Sequence, residues 1–148
     1  RDIGNLDQFY VANMEIGSVE PPINLYNSNW EIHTRIPCSQ PAKFVGSNVD
    51  NRTVDSIIAN GVIVSHSSIK DSVIGYRAKI KDGSRVIRSI IFGDSEIIGA
   101  TIEDCIVDKR VTIPKGTIIG VDKEEDKKRG FFVSDNGITI VPRKYKFQ

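Results

Sequence analysis

Isoleucine or valine recurs at almost every sixth position through the middle of this chain: Ile57, Ile63, Ile69, Ile74, Ile80, Val86, Ile91, Ile97, Ile102, Val107, Ile113 and Ile119. A few steps are five residues, at "KDSVI", "IRSII", "ATIED" and "EDCIV". Neither a helix, with a period of about 3.6, nor a simple strand, with a period of about two, produces that spacing. Four residues after most of these rungs stands a small side chain or a valine: Gly61, Ser67, Ala78, Ser84, Ser95, Thr101, Val111 and Thr117. A unit of one short strand and one tight corner accounts for both patterns. Three such units close a triangular coil, and successive coils stack their rungs inside a prism. β-Branched side chains, stiff at χ1, suit the strands and fill a narrow interior. The rungs suffice for about four coils, each burying its apolar side only against the next. The expected fold is therefore mainly β, a single-stranded parallel β-helix of hexapeptide repeats.

The flanks read differently. "NLDQFYVANMEIG" places Leu6, Phe9, Tyr10 and Met14 on one face of a short helix. Asn5 is its expected N-cap, Gln8 completes a capping box onto the Asn5 backbone, and Gly17 closes it. From Pro21 to about Val49, four prolines and no clean period predict an extended linker. Leu25, Tyr26, Trp30, Ile32 and Phe44 are expected to hold it against an apolar surface, with Trp30 as an anchor. After the ladder, "VDKEEDKKRG" predicts a solvated helix or loop, and Asn136–Gly137 a hairpin turn whose strands cap the prism. The expected organisation is thus 1–20 helix, as the tail of a preceding domain, 21–50 linker, 51–121 β-helix and 122–148 charged segment with capping hairpin.

A net charge of +1, with acids and bases interspersed, offers no basic field for nucleic acid or an anionic membrane, so any anion site must be local. No apolar run reaches the roughly 18 residues of a membrane span, and a cytoplasmic location is expected. Cys38 and Cys105 lack metal-ligand spacing and are expected as reduced thiols. "RDIGN" has neither initiator methionine nor leader character, which predicts a C-terminal piece of a longer protein. Hexapeptide prisms serve acyltransferases through a histidine base, or serve purely for assembly. The candidate bases here are His33, in the linker, and His66, at a coil corner, and no long loop interrupts the rungs to form an acyl-donor cleft.

"RDIGNLDQFYVANM", "PPINLYNSNWEIHT", "PAKFV", the ladder, "IPKGTIIG" and "EEDKKRGFFVSDNGITIVPR", in that order, resemble the C-terminal part of the bacterial ADP-glucose pyrophosphorylase (glucose-1-phosphate adenylyltransferase) family over essentially all 148 residues. The resemblance implies a left-handed coil, although parallel crossovers are otherwise right-handed. It also implies a reaction of ATP with glucose 1-phosphate to give ADP-glucose and pyrophosphate in glycogen biosynthesis. The domain that binds ATP and glucose 1-phosphate would precede this segment. No Gly-rich phosphate loop occurs here, so these residues alone are expected to be inactive. Asp2, in "RDIG", matches the family motif W-R-D-V-G-T without its tryptophan and threonine, and would help hold Mg²⁺ in the intact parent. Lys109, in "VDKRVTIPKG", and Arg143, in "IVPRKYK", match positions that bind phosphorylated metabolite effectors. The resemblance further implies self-association, as a homotetramer. A non-catalytic regulatory or assembly subunit of the same pathway is the alternative within the family, and a hexapeptide acyltransferase the alternative outside it.

Overall fold

The computed structural model describes residues 2–46 and 52–147; the expected linker–prism boundary at 50 and 51 lies outside the described residues. Helix α1 (Leu6–Ile16) comes first, and the chain then runs without helix or strand to the first coil. That coil contains β1 (Lys43–Val45), β2 (Thr53–Val54) and β3 (Ile57–Ile58). The second contains β4 (Ile63–Ser65), β5 (Ser68–Lys70) and β6 (Val73–Ile74), and the third β7 (Lys79–Lys81), β8 (Arg85–Ile87) and β9 (Ile90–Ile91). The fourth contains β10 (Glu96–Ile98), β11 (Thr101–Glu103) and β12 (Cys105–Val107). A last coil has β13 (Thr112–Ile113) and β14 (Ile118–Ile119), then α2 (Lys123–Lys128), β15 (Phe132–Val133) and β16 (Thr139–Val141). Every third strand pairs in parallel up to the last coil, where β12 pairs with β16, giving three sheets that form the sides of a left-handed β-helix. Parallel pairing begins at Lys43 and ends at Val141, further out on both sides than the rungs alone suggest.

Strand register decides which residue of each unit points inward. On the first side the inward column is Phe44, Val64, Ile80, Ile97 and Ile113. The second side stacks Ile69, Val86, Ile102 and Ile119, and the third stacks Ile58, Ile74, Ile91, Val107 and Val141. From Ile69 to Ile119 every expected rung is buried. Two expected rungs are not: Val64, aligned with Ile80, takes the place of Ile63, and Ile58, aligned with Ile74, takes that of Ile57. Both corrections fall in an "aliphatic pair", where a strand's alternation lets either neighbour face in and only pairing chooses. Burying one such side chain stabilises by roughly 1.5–3 kcal/mol.

The small corner residues have a second task. Where the chain bends, amides leave the strand ladder and need other acceptors. Ser72 donates its N–H to Ser56 Oγ (3.1 Å), Ser89 to Ser72 Oγ (3.1 Å) and Cys105 to Ser89 Oγ (3.2 Å), a hydroxyl column running down one corner. Ser84 and Ser95 accept the amides of Ala100 and Val111 in the same way. Ala100 and Val62 occupy buried corner sites that the spacing assigned to Thr101 and Gly61. The turning residues themselves are left-handed, including Asp55, Asp71, Asp82, Asp94 and Asp104, and short aspartates tolerate that region. Arg77 and Arg88 also adopt it, each forked onto an aspartate of the next coil, Asp94 and Asp104.

Outside the prism, α1 lies on the third side, where Phe9, Tyr10 and Met14 pack with Val73, Ile90, Ile106, Ile138 and Ile140. Leu6 falls off this contact and stays exposed. Asn5 Oδ1 accepts the Gln8 N–H at 2.8 Å, but Gln8 Oε1 accepts from Gly4, not from Asn5 as expected. Gly17 closes the helix in a right-handed conformation, donating to Met14 O. The linker corrects an expectation: Leu25, Tyr26, Trp30 and Ile32 are exposed, Trp30 at 77%, and Phe44 belongs instead to β1, where it heads the inward column at the open first coil and is 52% exposed.

At the far end, α2 is capped by Asp122, and its charged sequence is not all solvated. Asp126 is fully buried, accepting from Gly120 N (2.7 Å), Thr139 Oγ1 (2.9 Å) and Arg129. One carboxylate thus joins the last corner, α2 and β16. The hairpin turns at Gly137, and β16 extends the third sheet beyond β12 instead of lying across the opening. The cover is aromatic. Phe131, 4% exposed, packs at a tilt against Tyr145 with ring centroids 4.4 Å apart, and Tyr145 meets Phe147 edge-on at 4.8 Å.

Candidate anion-binding corner

The corner between the third and first sides turns after Val107 in the fourth coil and after Val141 in the last. Asp108 donates its amide to Val141 O at 3.0 Å, which sets the two turns against each other. Its carboxylate then holds both: Oδ1 accepts the Lys109 N–H (2.7 Å) and Oδ2 the Arg143 N–H (3.3 Å). Lys109 and Arg143, far apart in the chain, are therefore neighbours at one corner, with exposed side chains that enter no ion pair among the described residues. Arg110 and Lys144, both in left-handed turns, flank them.

The acid one coil earlier is already occupied. The Arg77 guanidinium holds the Asp94 carboxyl below the usual carboxylate range, and Arg110 adds to the effect. Asp108 spends its oxygens on backbone amides. The corner accordingly presents cationic side chains on a backbone fixed by acids, an arrangement suited to an incoming anion. By residue type alone Lys109 and Arg143 are two among many cations, and it is the family resemblance that singles them out. Asp108, which brings them together, was missed, and apart from its place beside Lys109 no sequence signal marks it.

Asp2 lies exposed ahead of α1 and shares no hydrogen bond or ion pair with either cation among the described residues. No group of three or more His, Cys, Asp or Glu side chains that could hold a metal occurs among those residues, so Asp2 here is a single carboxylate and does not by itself fit a Mg²⁺ ion. His33 and His66 are both exposed, and the His66 backbone is committed to the corner through Val45 O and Gly83 N. Cys38 and Cys105 are free thiols. Burial pushes the Cys105 thiol well up, which makes it a packing residue of its corner column. Among the described residues, no helix is long and apolar enough to cross a membrane.

A family model described as GlmU-like, C-terminal hexapeptide matches residues 40–141. The chain belongs to this family. The hexapeptide chain is also similar, nearly end to end, to glucose-1-phosphate adenylyltransferases. It is 43% identical over 150 aligned residues to glucose-1-phosphate adenylyltransferase 2 of Vibrio cholerae, covering 99% of this chain and 37% of that protein. Identity is 37% to the enzyme of Deinococcus deserti (99% of this chain, 36% of that one) and 41% to that of an Arthrobacter species (97% and 31%). The hexapeptide chain spans about a third of the length of these relatives and matches their C-terminal part.

Proposed function

We propose that this chain is the assembly and regulatory portion of a glucose-1-phosphate adenylyltransferase. The parent would form ADP-glucose and pyrophosphate from ATP and glucose 1-phosphate in the cytoplasm, with both substrates bound by residues outside this segment. In this reading the corner of Lys109 and Arg143 takes the phosphate of a metabolite effector, and the observation that carries it is the single Asp108 carboxylate holding both backbones. Asp2 would contribute one carboxylate to a Mg²⁺ site whose other ligands lie elsewhere. The prism and its partners of the same kind assemble the parent, as a homotetramer. A regulatory subunit without turnover would use the same corner. The acyltransferase reading has less support, since His33 and His66 are both exposed and neither side chain pairs with an acid among the described residues.

The test is an effector titration of the full-length protein with a panel of sugar phosphates, following ADP-glucose formation. Lys109→Ala and Arg143→Ala each remove a charge-assisted bond of roughly 1.5–3 kcal/mol, so the half-maximal effector concentration should rise about tenfold or more. Turnover without effector should change less than that concentration does. The double variant should be non-additive, because the two cations share one ligand. Curves that overlay the parent's would refute the regulatory assignment. ADP-glucose formation by the 148 residues alone would refute the truncated reading.

A further inference from the structure

The outward surface of the second side carries a groove of about 660 Å³ lined by Arg52, Val54, Ser68, Lys70, Arg85 and Ile87. Register explains its composition. Ser68 stands opposite Arg85, and the Ile69 amide donates to the Arg52 carbonyl at 2.8 Å, so Arg52, Ser68 and Arg85 form one outward column on three successive coils. Lys70 lies between Val54 and Ile87 in the adjoining column. Neighbouring strands are about 4.8 Å apart, so the two arginine backbones are about 10 Å apart, within reach of one ion from either end.

On the neighbouring corners and sides three cations of these coils are matched by acids of the next coil, Arg77 by Asp94, Lys81 by Glu96 and Arg88 by Asp104 and Glu103, while Lys43 and Lys79 stand singly among the described residues. Here the stacking sets cation against serine and cation. Arg52 and Arg85 are exposed and enter no ion pair among the described residues, and Lys70 approaches only Asp71, at 3.9 Å. Glu103, the next acid along this side, stands opposite Ile87 and is held by Arg88. Like charges gathered on one sheet face repel one another, so a column built this way is stabilised by an anion that enters it.

We propose that this groove is a phosphomonoester site, separate from the corner of Lys109 and Arg143. Two guanidinium forks, the Ser68 hydroxyl between them and the Lys70 ammonium at the side match the acceptors of a tetrahedral dianion. Val54 and Ile87 flank the phosphate position and give the organic part of the ligand an apolar rest.

The probe is inorganic phosphate, and the readout is protection of individual arginines in the full-length protein from phenylglyoxal, mapped by mass spectrometry. Arg52 and Arg85 should be protected together over one concentration range. Arg85→Gln should raise the phosphate needed to protect Arg52 about tenfold or more, and Ser68→Ala by a few-fold. The Lys109→Ala/Arg143→Ala double variant should leave protection at Arg52 and Arg85 unchanged. The proposal is overturned if phosphate protects neither arginine or if chloride at matched ionic strength protects equally. It is also overturned if Arg52 is protected as well in Arg85→Gln as in the parent, or if the corner double variant abolishes protection in the groove.

Discussion

On the third side of the prism the outward column, Ile57, Val73, Ile90, Ile106 and Ile140, is as apolar as the inward one. On the second side the outward column beside equally apolar rungs is Ser68, Arg85, Thr101 and Ile118. The same repeat thus builds a sheet buried on both faces and a sheet buried on one. The difference follows from what covers each: α1 and its Phe9, Tyr10 and Met14 lie on the third side, and Tyr10 Oη donates to Arg88 O at 2.6 Å to fix the helix there. A sheet covered on both faces reads as runs of aliphatics, and one that meets water reads as alternation. The strands say so in their letters, "II", "VI", "II" and "CIV" on the third side against "SIK", "RVI" and "TIE" on the second.

The interior should not distinguish the sides. Ile97→Ala on the first and Ile74→Ala on the third each empty a buried rung and should cost roughly 2–5 kcal/mol in urea unfolding, while Lys81→Ala should cost little. A third-side rung that is far cheaper than a first-side rung would mean that the columns are not one core. The outward columns should separate the sides more sharply. Ile106→Ala, beneath α1, should cost about 2 kcal/mol, whereas Ile118→Ala, 54% exposed on the second side, should stay within about 0.5 kcal/mol. Equal losses would show that α1 does not cover the third side in solution.

The smallest effect probes the helix contact itself. Tyr10→Phe removes one hydrogen bond and should cost about 0.5–1.5 kcal/mol. Burial, with Asp104 adding, pushes the Tyr10 phenol up to about 12. A raised value means that the folded state binds the proton more tightly than the unfolded chain, in which tyrosine titrates near 10. The contribution is therefore complete below about pH 10 and lost as pH rises towards about 12. Stability curves over this window should fall more steeply for the parent than for Tyr10→Phe; parallel curves would place the phenol in water.

Much of this was legible in the letters. The six-residue period required a coil, because no other arrangement gives each rung an interior place, and the buried run from Ile69 to Ile119 follows it. The Asn5 cap and the Asn136–Gly137 turn were equally readable, since a cap or tight turn is decided by neighbours in sequence. The linker aromatics are exposed in this chain, because an apolar residue reveals a preference for burial and not which surface receives it.

What only the tertiary structure decided are choices between near-equal local options and meetings of distant residues. Val64 over Ile63 and Ile58 over Ile57 depend on pairing with the next coil, since both members of each pair are aliphatic. Asp126 reads as one more charge in "KEEDKK", yet it is buried because a corner amide, a threonine of β16 and Arg129 converge on it. Lys109 with Arg143, and Arg52 with Arg85, become neighbours only when coils stack about 4.8 Å apart. The repeat determined that the chain would wind; the register of the winding determined which charges meet.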